Sequence, residues 1–110
     1  MDKDLITGNT NEGRDGKGGF KVYISGRLLS PERSQKVINH SPNGFAWGYG
    51  GSGPAQLALA ILLNFCDEKT AIRLYQEFKW EVVARLPETF GISSELVKDW
   101  IYGKTKTLDG

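Results

Sequence analysis

The segment Gly48-Tyr49-Gly50-Gly51-Ser52-Gly53-Pro54 runs directly into Ala55-Gln56-Leu57-Ala58-Leu59-Ala60-Ile61-Leu62-Leu63. No other feature of the chain constrains its fold as strongly. Pro is favoured at the first helical position, where its missing N–H costs nothing, and a Gly or small polar residue before it suits a cap. The pattern predicts a helix from Pro54 to about Phe65. Leu57 to Leu63 is apolar on every side, and a helix without a polar face must be wrapped by the rest of the chain. The chain is therefore expected to build a domain around a central helix that is entered through a Gly-rich turn.

The flanking segments supply the wrapping. Phe20-Lys21-Val22-Tyr23-Ile24 is β-rich and roughly alternating, and Ser25-Gly26 separates it from Arg27-Leu28-Leu29, which reads as a short hairpin. Ser30 to Ser34 is a polar connection with room for one helical turn. Val37-Ile38 and Phe45-Ala46-Trp47 read as brief strands on either side of a Ser41-Pro42-Asn43-Gly44 turn. After the central helix, Asp67 caps a second helix that runs to about Leu86 and is stopped by Pro87. Ala71, Leu74, Tyr75, Phe78, Val82 and Leu86 share one face of it. Ser93 or Ser94 caps a last helix with Leu96, Val97, Trp100 and Ile101 apolar. Strands followed by helices mean an α+β fold, with a short N-terminal β-hairpin or small antiparallel sheet packed on a C-terminal three-helix unit. Leu59, Ile61, Leu62, Leu74, Tyr75, Phe78 and Val82 are the expected core.

At 110 residues the chain has a single-domain length. Residues 1–19 hold five Gly among polar and charged residues, with Leu5 and Ile6 as the large aliphatics. Such a segment offers little burial against its ordering entropy and reads as a disordered tail. Residues 103–110 read as a frayed end, which leaves 20–102 as the folded unit. Fourteen Lys and Arg stand against thirteen Asp and Glu, so a net charge of +1 provides no field that steers the chain to nucleic acid or to an anionic membrane. The apolar run 57–63 is far shorter than the ~20 residues that span a bilayer. Met1 to Gly19 has no apolar stretch of the kind found in signal peptides, which makes the cytoplasm the default expectation. Cys66, the lone cysteine, reads as a buried structural thiol.

Gly48, Gly50 and Gly53 satisfy G-x-G-x-x-G, but the dinucleotide fingerprint needs a strand after the helix, and here a second helix follows. A phosphate-binding P-loop fails for lack of Lys-Ser/Thr after the glycines. Gly50-Gly51-Ser52-Gly53-Pro54 misses the nucleophile elbow G-x-S-x-G at its fifth position. With one His, one Cys and no visible carboxylate pair, an enzyme is the weakest reading, and neither a metal nor a cofactor is implied. Two readings remain open. In one, the turn and the helix N-terminus bind a small anionic ligand or nucleotide through His40, Tyr49, Gly50, Gly51, Ser52, Gly53 and Gln56, because the first turn of a helix presents N–H groups without acceptors. In the other, the glycines serve close packing only, Trp47 and Tyr49 belong to the core, and the chain is a protein-interaction or structural module. Trp80 lies opposite the apolar stripe of its helix, close to Arg73 and Gln76. These three residues mark a contact surface for a homodimer or another partner.

The stretch His40-Ser41-Pro42-Asn43-Gly44-Phe45-Ala46-Trp47-Gly48-Tyr49-Gly50-Gly51-Ser52-Gly53-Pro54-Ala55-Gln56-Leu57-Ala58-Leu59-Ala60 resembles the domain of unknown function numbered 6166. The family is one of small proteins of prokaryotes and their viruses. Tyr75-Gln76-Glu77-Phe78-Lys79 and Glu81-Val82-Val83-Ala84-Arg85-Leu86-Pro87 support the resemblance, which covers about residues 20–102. The resemblance implies no activity.

Overall fold

The computed structural model describes residues 4–14 and 18–106. Strand β1 (Leu5–Asn9) is followed by a single 3₁₀ turn, then by β2 (Val22–Ile24), β3 (Arg27–Leu28), α1 (Glu32–Val37), α2 (Ser52–Leu63) and α3 (Glu68–Glu81). A second 3₁₀ turn, Val83–Arg85, leads to β4 (Thr89–Ser93) and α4 (Ser94–Lys106). The strands form one antiparallel sheet in the order β3-β2-β1-β4. The fold is α+β.

Register sets the two faces of the sheet. Ile6 pairs with Ile24 and Ile92, and Gly8 with Val22 and Phe90. These six residues share one face, and Ile6, Val22 and Phe90 are buried there. The opposite face carries Thr7, Tyr23, Leu28 and Gly91, which are half-buried or exposed. Helices therefore cover one side of the sheet. The core behind it is α2, in which every residue from Gly53 to Leu63 is buried. Leu59, Ile61, Leu62, Leu74, Tyr75 and Phe78 are buried as expected, while Val82 at the end of α3 is only half-buried.

Several local expectations hold. Ser25 and Gly26 both have positive φ, 53° and 80°, the signature of a tight two-residue hairpin turn. The Asp67 carboxylate accepts from Thr70 N–H at 3.2 Å and caps α3. Ser93 Oγ accepts from Leu96 N–H at 3.0 Å and opens α4.

Other expectations are corrected. Residues 5–9, read as part of a disordered tail, form a strand in the middle of the sheet. Gly8 is glycine there because of packing: a Cβ on it would lie 2.5 Å from the Phe90 ring and 2.8 Å from that of Trp47. Gly19 is likewise buried against the backbone of residues 43–45, where a Cβ would come within 2.5 Å of Phe45 N. The rest of the tail reading, residues 1–3 and 15–17, lies outside the described residues. At the other end α4 carries residues 103–106 as helix, and residues 107–110 lie outside the described residues. Val37 ends α1 instead of forming a strand. The Phe45 carbonyl accepts one hydrogen bond from Phe20 N–H at 2.9 Å, without a strand ladder. The helix α3 stops at Glu81, short of Pro87, and β4 interrupts the helical half as an unforeseen strand.

Candidate functional site

The Gly-rich segment is held from three sides. Gly48 N–H donates to the carbonyl of Val83 at 3.0 Å, and Trp47 Nε1 donates to that of Pro87 at 2.9 Å. The chain from Trp47 to Gly48 is thereby tied to the tightened turn after α3. Trp47 is buried, with its ring 5.6 Å from that of Phe20 and 4.9 Å from that of Phe90. Before the glycines, the Gln56 side chain clamps residues 38–41. Its Oε1 accepts from His40 N–H at 2.7 Å and from Ser41 N–H at 2.9 Å. Its Nε2 donates to Ser34 Oγ at 2.9 Å and to the Ile38 carbonyl at 3.1 Å.

This arrangement removes two expected ligand contacts. Gln56 is fully buried with both ends of its amide engaged by the chain, so it holds the fold together and offers nothing to a ligand. His40 turns its Nε2 to the Tyr75 hydroxyl, 2.5 Å away, with the rings at 5.3 Å, and is not part of the recess described below. Ser52 therefore has no histidine base beside it.

Gly51 is the residue before α2, in extended conformation, and its carbonyl accepts from Ala55 N–H at 3.1 Å. Pro54 has no N–H. Among the described residues, no acceptor of the chain meets the N–H groups of Ser52 and Gly53. Both residues line a recess of about 240 Å³ whose walls also include Arg14, Gly19, Asn43 and Tyr49. Arg14 donates to the Gly18 carbonyl, and its guanidinium carbon lies 4.3 Å over the Phe20 ring. No carboxylate among the described residues pairs with it. Arg14 and Asn43 were not anticipated as site residues. Arg14 stands in a stretch with the composition of a tail, and only its bridge to Phe20 brings it to α2. Tyr49, Ser52 and Gly53 were anticipated and line the recess.

Gly50 and Gly51 play a different part: each seats an aromatic ring. A Cβ on Gly51 would lie 2.5 Å from the Tyr49 ring, and one on Gly50 would lie 2.2 Å from that of Trp80. Tyr49, weighed as a core residue, is instead 54 % exposed, and Trp80 is 56 % exposed. Arg73, Gln76 and Trp80 share the exposed face of α3.

Elsewhere the described residues hold little reactive chemistry. Cys66 is half-buried, its thiol 3.3 Å from the Leu62 carbonyl, and burial, reinforced by the Asp67 charge, pushes its pKa up, away from a reactive thiolate. No group of three or more His, Cys, Asp or Glu side chains gathers among the described residues. No helix among them is long and apolar enough to cross a membrane.

A family model for a family of unknown function, DUF6166, matches residues 11–103. The chain belongs to this family. The DUF6166 match begins before Arg14 and ends within α4, so it contains the recess, all of the helices but the last residues of α4, and every strand except β1. Neither a curated protein nor a solved structure matches the chain.

Proposed function

We propose that this DUF6166 domain is a binding module whose recess at the start of α2 takes a small anion, namely the phosphate group of a nucleotide or a similar phosphorylated metabolite. One observation carries the reading. Arg14, whose guanidinium pairs with no carboxylate among the described residues, lines the same polar recess as Ser52 and Gly53, whose N–H groups meet no acceptor among the described residues. A helix N-terminus has donors without intrahelical partners and a partial positive charge, and an arginine beside it adds a full charge with planar donors. Ser52 Oγ and the Asn43 amide add neutral contacts. At about 240 Å³ the recess is smaller than the ~300–1,000 Å³ of sites that enclose a whole ligand, so the phosphate enters and the remainder lies outside against Tyr49.

The test is a ¹H–¹⁵N NMR titration with inorganic phosphate and, separately, with a nucleoside monophosphate. The amides of Gly18, Gly19 and residues 50–53 should shift saturably, with the nucleotide binding more tightly. Arg14→Ala should weaken binding by about tenfold or more, the worth of one charge-assisted hydrogen bond. Amides that stay unmoved at millimolar phosphate and nucleotide would overturn the proposal.

A further inference from the structure

A second surface lies on the exposed side of α3 and the glycine loop, and adjoins the recess at Tyr49. We propose that this surface, centred on Trp80 and Tyr49, docks an acidic segment of a partner protein that presents an apolar side chain among its carboxylates. The two rings rest on successive residues of one loop, Trp80 on Gly50 and Tyr49 on Gly51, and each remains more than half exposed. Trp80 packs on Gly50 so closely that a Cβ there would displace the indole. Exposed Trp and Tyr are the side chains that dominate protein interfaces, because they lose little conformational entropy on contact.

Charge decides the chemistry of the occupant. Lys79 is only 8 % exposed, yet no carboxylate among the described residues pairs with its ammonium, which lies 4.3 Å from the centroid of the Trp80 ring. Its stem is buried and its head emerges beside the indole. Arg73 and Lys69 stand on the same exposed side of α3, again without an ion-pair partner among the described residues. Asp67 at the start of α3 meets part of the Lys69 charge, whereas Glu77 and Glu81 accept from Lys104 at 2.9 and 3.1 Å, and Glu81 also accepts from Trp100. The face is therefore apolar at its centre, with Lys79 and Arg73 beside it making no ion pair among the described residues. A partner segment with carboxylates flanking an apolar residue meets both features. The near-neutral chain as a whole disfavours a nucleic acid, whose affinity rests on many neutralised phosphates.

The experiment is selection of a displayed library of random 12-residue peptides on the folded protein, with the enriched peptides then synthesised. Enriched sequences should be rich in Asp and Glu around one Leu, Phe or Trp, and should shift the Trp80 indole N–H resonance. Trp80→Ala should weaken them by at least about tenfold, and Lys79→Gln severalfold. Gly50→Ala, which displaces the indole without changing charge, should act in the same direction in a protein whose NMR spectrum is otherwise native. Affinity should fall as salt is raised. Failure to enrich any peptide, enrichment without acidic bias, or binding that survives Trp80→Ala would overturn the proposal. A single-stranded oligonucleotide that shifts the same indole more strongly would overturn it in favour of nucleic acid. Sedimentation showing a dimer that Trp80→Ala dissolves would overturn it in favour of a second copy of the chain.

Discussion

Gln56 carries four hydrogen bonds inside a helix that is otherwise apolar on every side. Its amide takes the place of water for the backbone at residues 38–41 and for Ser34. The sequence placed it among ligand contacts because a polar residue in the first turn of a helix resembles one. The opposite inference was available: in a helix wrapped all round, a polar side chain must be satisfied by the chain itself. Gln56→Leu preserves volume and strands two N–H groups and a carbonyl, while the Ser34 hydroxyl keeps its bond to the Pro31 carbonyl. It should cost roughly 2–5 kcal/mol in urea denaturation, since each stranded buried group costs about 1–3 kcal/mol and the backbone relaxes to recover part of that. A loss under about 1 kcal/mol would show that residues 38–41 do not depend on the clamp. Of the remaining site residues, Tyr49, Ser52 and Gly53 were legible because adjacency in sequence places them at the start of α2. Arg14 was not, because its position depends on a contact that no local pattern announces.

At the scale of elements, what could be read was what is local. The Ser25-Gly26 turn, the Asp67 and Ser93 caps and the all-apolar α2 each follow from a few neighbouring residues. Strands β1 and β4 were missed because a glycine interrupts the alternation of each, and the reason for Gly8 lies across the sheet, beneath Phe90. The junction of α3 with α4 is also non-local, and it makes stability depend on pH. Hydrogen bonds from Trp100 and then Lys104 hold the Glu81 carboxyl below its ordinary value of 4.5, and hydrogen bonds to Glu77 and Glu81 raise Lys104 above its ordinary 10.5. The Asp67 cap is likewise lowered, chiefly by its hydrogen bonds with Thr70. A lowered carboxylate contributes stability that is complete above its unfolded pKa and disappears as pH falls through its folded one. A raised lysine contributes stability below its unfolded pKa that disappears as pH rises through its folded one. The urea midpoint should therefore be flat around neutrality, fall below about pH 4.5 and fall again above about pH 10.5. Glu81→Gln should flatten part of both limbs. An unchanged pH profile in that variant would remove the α3–α4 clasp from the account.

At the scale of the whole molecule, the sheet is closed by strands from opposite ends of the chain. β1 pairs with β4 from Leu5 opposite Ser93 to Asn9 opposite Thr89, and the Thr89 hydroxyl donates to Asn9 Oδ1 at 3.1 Å across 80 residues of sequence. The arrangement puts a segment from the Gly-rich, polar start of the chain at an inner position of the sheet, flanked on both sides by hydrogen-bonded strands. Deleting residues 1–9 would leave β2 and β4 with unpaired inner edges and would uncover Trp47 and Phe90 where Gly8 now covers them. The shortened chain should lose its cooperative unfolding transition and the dispersion of its amide spectrum. Ile6→Ala is the milder form of the same experiment. Ile6 is fully buried, and removing its side chain should cost about 2–5 kcal/mol. Because the β1–β4 ladder closes a loop of almost the whole chain, that loss should appear mainly as faster unfolding if the helices assemble first and the ladder closes last. A shortened chain that kept the full-length unfolding midpoint would mean that residues 5–9 contribute nothing to the fold, contrary to their place between β2 and β4.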